Sequence, residues 1–132
     1  MPEPSDVTLV EGAIHNPADP RHFMTVTPAD GRRVATIADR VIADSATALV
    51  CKEVGRSIYD PVVYFPRADV DPAVLVAIDT TTHCPLKGDT EYFDVVVDGE
   101  RYAAAAWSYV DLVTDNPLRG LVAFDGSQVS VG

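Results

Sequence analysis

Residues 92–106 read Tyr92-Phe93-Asp94-Val95-Val96-Val97-Asp98-Gly99-Glu100-Arg101-Tyr102-Ala103-Ala104-Ala105-Ala106. In an extended chain Phe93, Val95 and Val97 share one face, and Tyr92, Asp94 and Asp98 take the other. That alternation predicts a strand with one dry side and one wetter side. Asp98-Gly99 is a strong signal for a two-residue hairpin turn, so Arg101–Ala106 is expected to return antiparallel. Four alanines in a row also suit a helix. The turn before them and Trp107-Ser108-Tyr109 after them favour a strand.

The same grammar extends in both directions. Phe23–Thr27 is a run of β-formers stopped by Pro28. Arg33–Ile37 and Arg40–Ala43 flank Ala38-Asp39 as a second hairpin, and Ala48–Cys51 follows as an apolar strand. Residues 53–60 are expected to form a loop around Gly55. Pro61–Phe65 is a strand whose proline sits where no ladder donor is needed. Asp71-Pro72 reads as a helix N-cap with proline at the first helical position, which predicts a helix of one or two turns over Ala73–Ile78. Downstream, Leu118–Phe124 and Gln128–Val131 are apolar runs on either side of Asp125-Gly126. The expectation is an all-β, mainly antiparallel fold of about eight or nine short strands with one short helix. Residues 1–22, rich in Pro, Asp and His, are expected to be an irregular N-terminal arm, with His15 and His22 on its surface. Residues 23–132 are expected to be a single domain.

The 132-residue chain carries a formal net charge of −10. An excess of acid opposes binding to nucleic-acid phosphates and to anionic membrane surfaces, so neither is expected as a partner. No apolar run approaches the ~18 residues of a membrane span. Met1-Pro2-Glu3-Pro4-Ser5-Asp6 lacks the basic start and apolar stretch of a secretory signal, which makes the cytoplasm the expected location. Cys51 and Cys84 are the two cysteines, with no Cys-x-x-Cys spacing. Neither a disulfide, a metal site nor a cofactor is expected from them. The sequence does not set an oligomeric state.

Five motifs stand in order along the chain. They are Val41-Ile42-Ala43-Asp44-Ser45, Tyr64-Phe65-Pro66-Arg67-Ala68-Asp69-Val70, Thr81-Thr82-His83-Cys84-Pro85-Leu86-Lys87-Gly88-Asp89, Ala106-Trp107-Ser108-Tyr109 and Val122-Ala123-Phe124. Their order and spacing resemble the family called domain of unknown function 427, found in bacteria and fungi, which also carries a nucleotidyltransferase label. The resemblance runs from about Ile14 to the C-terminus. It implies a β-tent-like fold, two antiparallel sheets pinned along one side with a pocket between them, and it implies that Lys87 belongs to a motif rather than to a plain solvated turn.

Candidate chemistry gathers around that third motif. His83, Cys84 and Lys87 are the expected catalytic residues. A histidine can move a proton near neutral pH, and a cysteine can act as nucleophile if a cation favours its thiolate. Adjacent residues in an extended stretch point oppositely, so one of His83 and Cys84 is expected to face a pocket and the other the core. Arg67 is expected to join Lys87 in holding an anionic group. Tyr64, Tyr92, Trp107 and Tyr109 are expected to wall the pocket. The resulting expectation is a small-molecule pocket protein, in first place an enzyme acting on an anionic metabolite or nucleotide-like ligand. A non-catalytic module for a small ligand or peptide is the alternative, and a protein–protein adaptor a weaker one. Nucleotidyl transfer needs clustered carboxylates for magnesium, and Asp69-Val70-Asp71 is the nearest match, without a glycine-rich phosphate cradle.

Overall fold

The computed structural model describes residues 13–55, 57–112, 114 and 116–132. Its strands in chain order are β1 (Ile14–Asn16), β2 (Asp19–Pro28), β3 (Arg33–Ile37), β4 (Arg40–Ser45), β5 (Leu49–Val54), β6 (Val62–Tyr64), β7 (Leu75–Ile78), β8 (His83–Cys84), β9 (Gly88–Val97), β10 (Glu100–Leu112), β11 (Val122–Phe124) and β12 (Ser130–Val131). They form three antiparallel sheets with strand orders β1-β2-β5-β6, β11-β10-β9-β7 with β8 also on β9, and β12-β3-β4. The fold is therefore mostly antiparallel β, as the alternation and turn signals predict. No helix among the described residues is long and apolar enough to cross a membrane.

The β9–β10 hairpin is the spine. Phe93, Val95 and Val97 are all buried, and Asp98 and Gly99 take positive φ at the turn. The alanine run is strand, paired to β9 on both sides of a bulge between Tyr102 and Ala106. Ala104 sits in that bulge at φ 47°. Asp94, expected on the wetter face, is buried instead, because it holds the bulge: its carboxylate accepts the Ala104 N–H at 2.8 Å and an Arg101 N–H at 2.6 Å. The Ala38-Asp39 turn is likewise as expected, with φ of 48° and 63°.

Two expectations are corrected. The helix over Ala73–Ile78 does not form. Asp71 does cap, accepting the Ala73 N–H at 2.9 Å, but the turn it starts is a 3-10 turn over Pro72–Val74, and Leu75–Ile78 continues as β7 on the edge of β9. Val74, Val76 and Ile78 are β-branched, and an open strand edge offers their backbone more hydrogen bonds than a two-turn helix would. The irregular arm is also corrected over residues 14–22. Ile14–Asn16 and the start of β2 form a hairpin closed at Asn16 and Asp19, and β2 pairs with β5. Residues 1–12 of the expected arm lie outside the described residues. In addition, β5 runs on to Val54, so the loop expected from residue 53 starts later.

Two apolar clusters form the core of the described residues. One joins Ala35, Ile37 and Ile42 of the small sheet to Phe65, Phe93, Val95, Val97 and Phe124. The other gathers Met24, Cys51, Tyr64, Leu86, Tyr109, Leu118 and Ala123. Paired backbone hydrogen bonds of 2.8 Å between Phe65 and Val122 tie the end of β6 to β11.

Candidate functional site

The site begins with the alternation of β2 and β5. His22, Met24 and Val26 share one face of β2, and Cys51 and Glu53 share one face of β5, with Met24 opposite Glu53 and Val26 opposite Cys51. Met24 and Cys51 are buried in the second apolar cluster, which fixes that face as the inner one. Glu53 therefore carries a carboxylate on the core side of its strand. It is met there by two partners. Lys87 Nζ lies 2.6 Å from Oε1, and His22 Nε2 lies 2.6 Å from Oε2.

Lys87 arrives from the turn between β8 and β9. Leu86, fully buried, anchors that turn, and the Thr114 hydroxyl donates to the Leu86 carbonyl at 2.7 Å. The Lys87 N–H donates to Cys84 Sγ at 3.4 Å. The ammonium also stands 5.4 Å from the centre of the Tyr109 ring. Burial works against its charge, but the phenol oxygens of Tyr64 and Tyr109 and the Glu53 carboxylate outweigh it and raise its pKa above the ordinary lysine value. Burial likewise opposes ionisation of Glu53, and hydrogen bonds from Lys87 and His22 overcome it and hold the carboxyl below its usual range. Glu53 and Lys87 are thus an ionised pair.

His22 is positioned from its other side. The Asn16 amide accepts the Ala18 N–H at 2.9 Å through Oδ1, which leaves Nδ2 facing His22 Nδ1 at 3.1 Å. An Asn16 N–H donated to Nδ1 places the imidazole proton on Nε2, where it bridges to Glu53. A side chain at Gly55 would have its Cβ 3.3 Å from the His22 ring, so the glycine keeps the room that the ring occupies.

These groups wall an open cleft of about 630 Å³, lined by His22, Glu53, Arg21, Tyr59, His83 and Cys84 among others. Cys84 Sγ, a Glu53 oxygen and a His22 nitrogen all lie within 4.8 Å of one another there. His83 stands on the rim with an exposed side chain, Nδ1 2.6 Å from Asp89 Oδ1. His83 and Cys84 both line the cleft, so the expected division holds only in part: His83 faces the opening, and Cys84 packs on the core side without leaving the cleft wall. Cys84 manages both roles because it is half-buried, touching the second apolar cluster while facing the opening. Cys51 differs: it is buried, and burial pushes its thiol up to about 11.

The other sequence candidates are placed elsewhere. Tyr64 and Tyr109 are buried behind Lys87, their rings 6.4 Å apart, and burial raises the pKa of both phenols. Trp107 donates to the Tyr64 hydroxyl at 3.5 Å and lines a second cleft, while Tyr92 tilts against it at 6.3 Å and shares a hydrogen bond with Thr82. Arg67 does not join Lys87. Its guanidinium lies 4.9 Å over the Phe93 ring, against the first apolar cluster, whereas Lys87 serves Glu53 at the second. Of the acidic pair considered for magnesium, Asp69 accepts from the Ser45 hydroxyl at 2.7 Å and Asp71 caps its turn while pairing with Arg40 at 3.0 Å.

Asn16, His22 and Glu53 are the residues that sequence reasoning missed. A signal for Glu53 existed. Continuing β5 by two residues puts it on the face of Cys51, an acid on an apolar side. His22 has the same parity as Met24 and Val26, but only the pairing of β2 with β5 brings it to Glu53.

The family model described as domain of unknown function (DUF427) matches residues 25–132. The chain belongs to this family. The DUF427 match takes in Glu53, Cys84 and Lys87 and begins after Asn16 and His22. No curated protein matches the chain.

Proposed function

We propose that this DUF427 protein is a small-molecule pocket protein working in the cleft walled by His22, Glu53 and Cys84, and that it is an enzyme acting on a small metabolite with an anionic group. One observation carries the reading: Glu53 is an ionised carboxylate on the core side of β5, held by Lys87 and His22 at 2.6 Å each, at the wall of an open cleft. A buried ion pair is a weak source of stability compared with apolar packing of the same volume. A titratable group with a perturbed pKa at the wall of a cleft marks a candidate working site, and Glu53 is such a group. In this reading His22 and Glu53 hold a proton between Nε2 and Oε2 at the cleft wall, and the Cys84 thiol sits beside it. Arg21 meets the anionic group. Its pairing with Asp19 is exposed and loose at 3.4 Å, so a ligand displaces it at little cost.

A non-catalytic binding module is the second reading. It is favoured by Cys84, whose sulfur already has a structural task in accepting the Lys87 N–H.

The test is a thermal-shift screen of the purified chain against nucleotides, coenzymes and acidic metabolites, with His22→Ala and Arg21→Ala alongside. A ligand of the native state raises Tm with the logarithm of its concentration over Kd. A hit lost in both variants supports the cleft, and turnover of that hit separates enzyme from module. A hit unchanged in both variants, or none at millimolar concentration, overturns the proposal.

A further inference from the structure

We infer that His22, Glu53 and Cys84 form a divalent transition-metal site that takes zinc, with a fourth position open to the cleft. The inference rests on the reading of this cleft as the working pocket and deepens it. The three side chains come from β2, β5 and β8, all are half-buried, and one ligating atom from each lies within 4.8 Å of the other two. Imidazole nitrogen, thiolate sulfur and a carboxylate oxygen are the donor types zinc prefers, and three protein ligands with one open position is the arrangement of its reactive sites. Donors around a tetrahedral zinc stand roughly 3.5 Å apart, so His22 Nε2 and Glu53 Oε2, now 2.6 Å apart, open by under about 1 Å while the Cys84 sulfur closes by about as much, within the reach of side-chain rotation on three fixed strands. Lys87 and Glu53 alone form a complete ion pair. That pair does not account for an imidazole brought to the same carboxylate at 2.6 Å.

The surroundings fit a bound cation. Lys87 holds Glu53 Oε1, which orients the carboxylate as an outer partner does, and Oε2, now bonded to His22 Nε2 at 2.6 Å, is the oxygen that would turn to the metal. Asn16 backs His22 at 3.1 Å. Loading zinc on Nε2 moves the imidazole proton to Nδ1, and the Asn16 amide then turns so that Oδ1 accepts it. That rotation gives up the Ala18 N–H bond, and Ala18 is exposed, so water takes its place. Zinc would add positive charge at the open face of the cleft, where an oxygen or nitrogen of the ligand completes the coordination.

The experiment uses the full chain stripped with chelator, titrated with zinc by calorimetry and with cobalt(II) by absorption. We expect one equivalent to bind and cobalt to show a thiolate charge-transfer band. Cys84→Ser removes the band, His22→Gln weakens binding by at least about tenfold, Cys51→Ser changes neither, and Asn16→Asp, which gives Nδ1–H a carboxylate acceptor, tightens binding by about tenfold. No binding by the wild-type chain at ~100 μM metal overturns the inference, as does a thiolate band that survives Cys84→Ser or disappears in Cys51→Ser. Because the wild-type titration needs no variant to fold, the result stands without them. Zinc binding without any metabolite hit supports the metal site and counts against the pocket reading, and a metabolite hit without zinc binding does the reverse.

Discussion

At the scale of single residues, Glu53 is the most consequential side chain in the described structure. Its side chain is 15% exposed and that of Lys87 11%, so each charge depends on the other for most of its solvation. Removing one leaves a nearly buried charge without its partner. Glu53→Gln and Lys87→Met are each expected to destabilise the chain by about 2–4 kcal/mol, and the double variant to recover most of that loss. Denaturant titration of the four proteins in the cycle reads this directly, and additive losses would refute the pairing. Neither residue's role was fully legible in the sequence. The motif marks Lys87, but the sequence points to a ligand as its partner and to Arg67 as its companion. Spacing along a chain cannot say which carboxylate a lysine meets when that carboxylate is 34 positions away on another sheet.

At the scale of elements, the β9–β10 hairpin depends on two local devices. Gly88 starts β9 at φ 123°, and a Cβ there would sit 2.0 Å from the Asp111 carbonyl oxygen. The strands approach at that point only because glycine lacks the atom. Gly88→Ala is expected to cost about 2 kcal/mol or more, read as a lowered denaturation midpoint. Further along, Asp94 secures the bulge at Ala104. The Ala104 N–H, then Arg101, hold its carboxyl below the ordinary value of 3.8. A depressed folded-state pKa contributes stability that is present above the unfolded value and lost as pH falls through the folded one. Asp94→Asn should therefore narrow the gap in stability between neutral pH and pH ~3, and thermal melts across that range measure it. An equally steep acid limb in the variant would argue against this role. The hairpin itself was plain from Asp98-Gly99 and the alternation at 93, 95 and 97. Its bulge was not, because four identical alanines carry no mark of where the ladder slips.

At the scale of the whole molecule, two apolar clusters share one spine. Phe93, Val95 and Val97 of β9 belong to the first, Tyr109 of β10 to the second, and the Phe65–Val122 bridge ties the sheets together. Clusters so connected are expected to unfold together. Val95→Ala and Leu86→Ala, one in each cluster, should each lower the same single transition, by about 1–3 and 2–5 kcal/mol, with an unchanged denaturant slope. Two separated transitions would show the clusters to be independent. The sequence by itself determined the fold class, most strands, the hairpin turns at Ala38-Asp39 and Asp98-Gly99, and the capping by Asp71, because period-two alternation and turn chemistry are local properties of the chain. It also carried the family motifs around Cys84 and Lys87. Only the tertiary structure decided that Leu75–Ile78 is strand and that residues 14–22 pair. Only it brought Asn16, His22, Glu53 and Lys87 together and set Arg67 on Phe93 instead. Edge pairing and ion pairing between distant strands depend on which faces meet in space, and no local pattern records that.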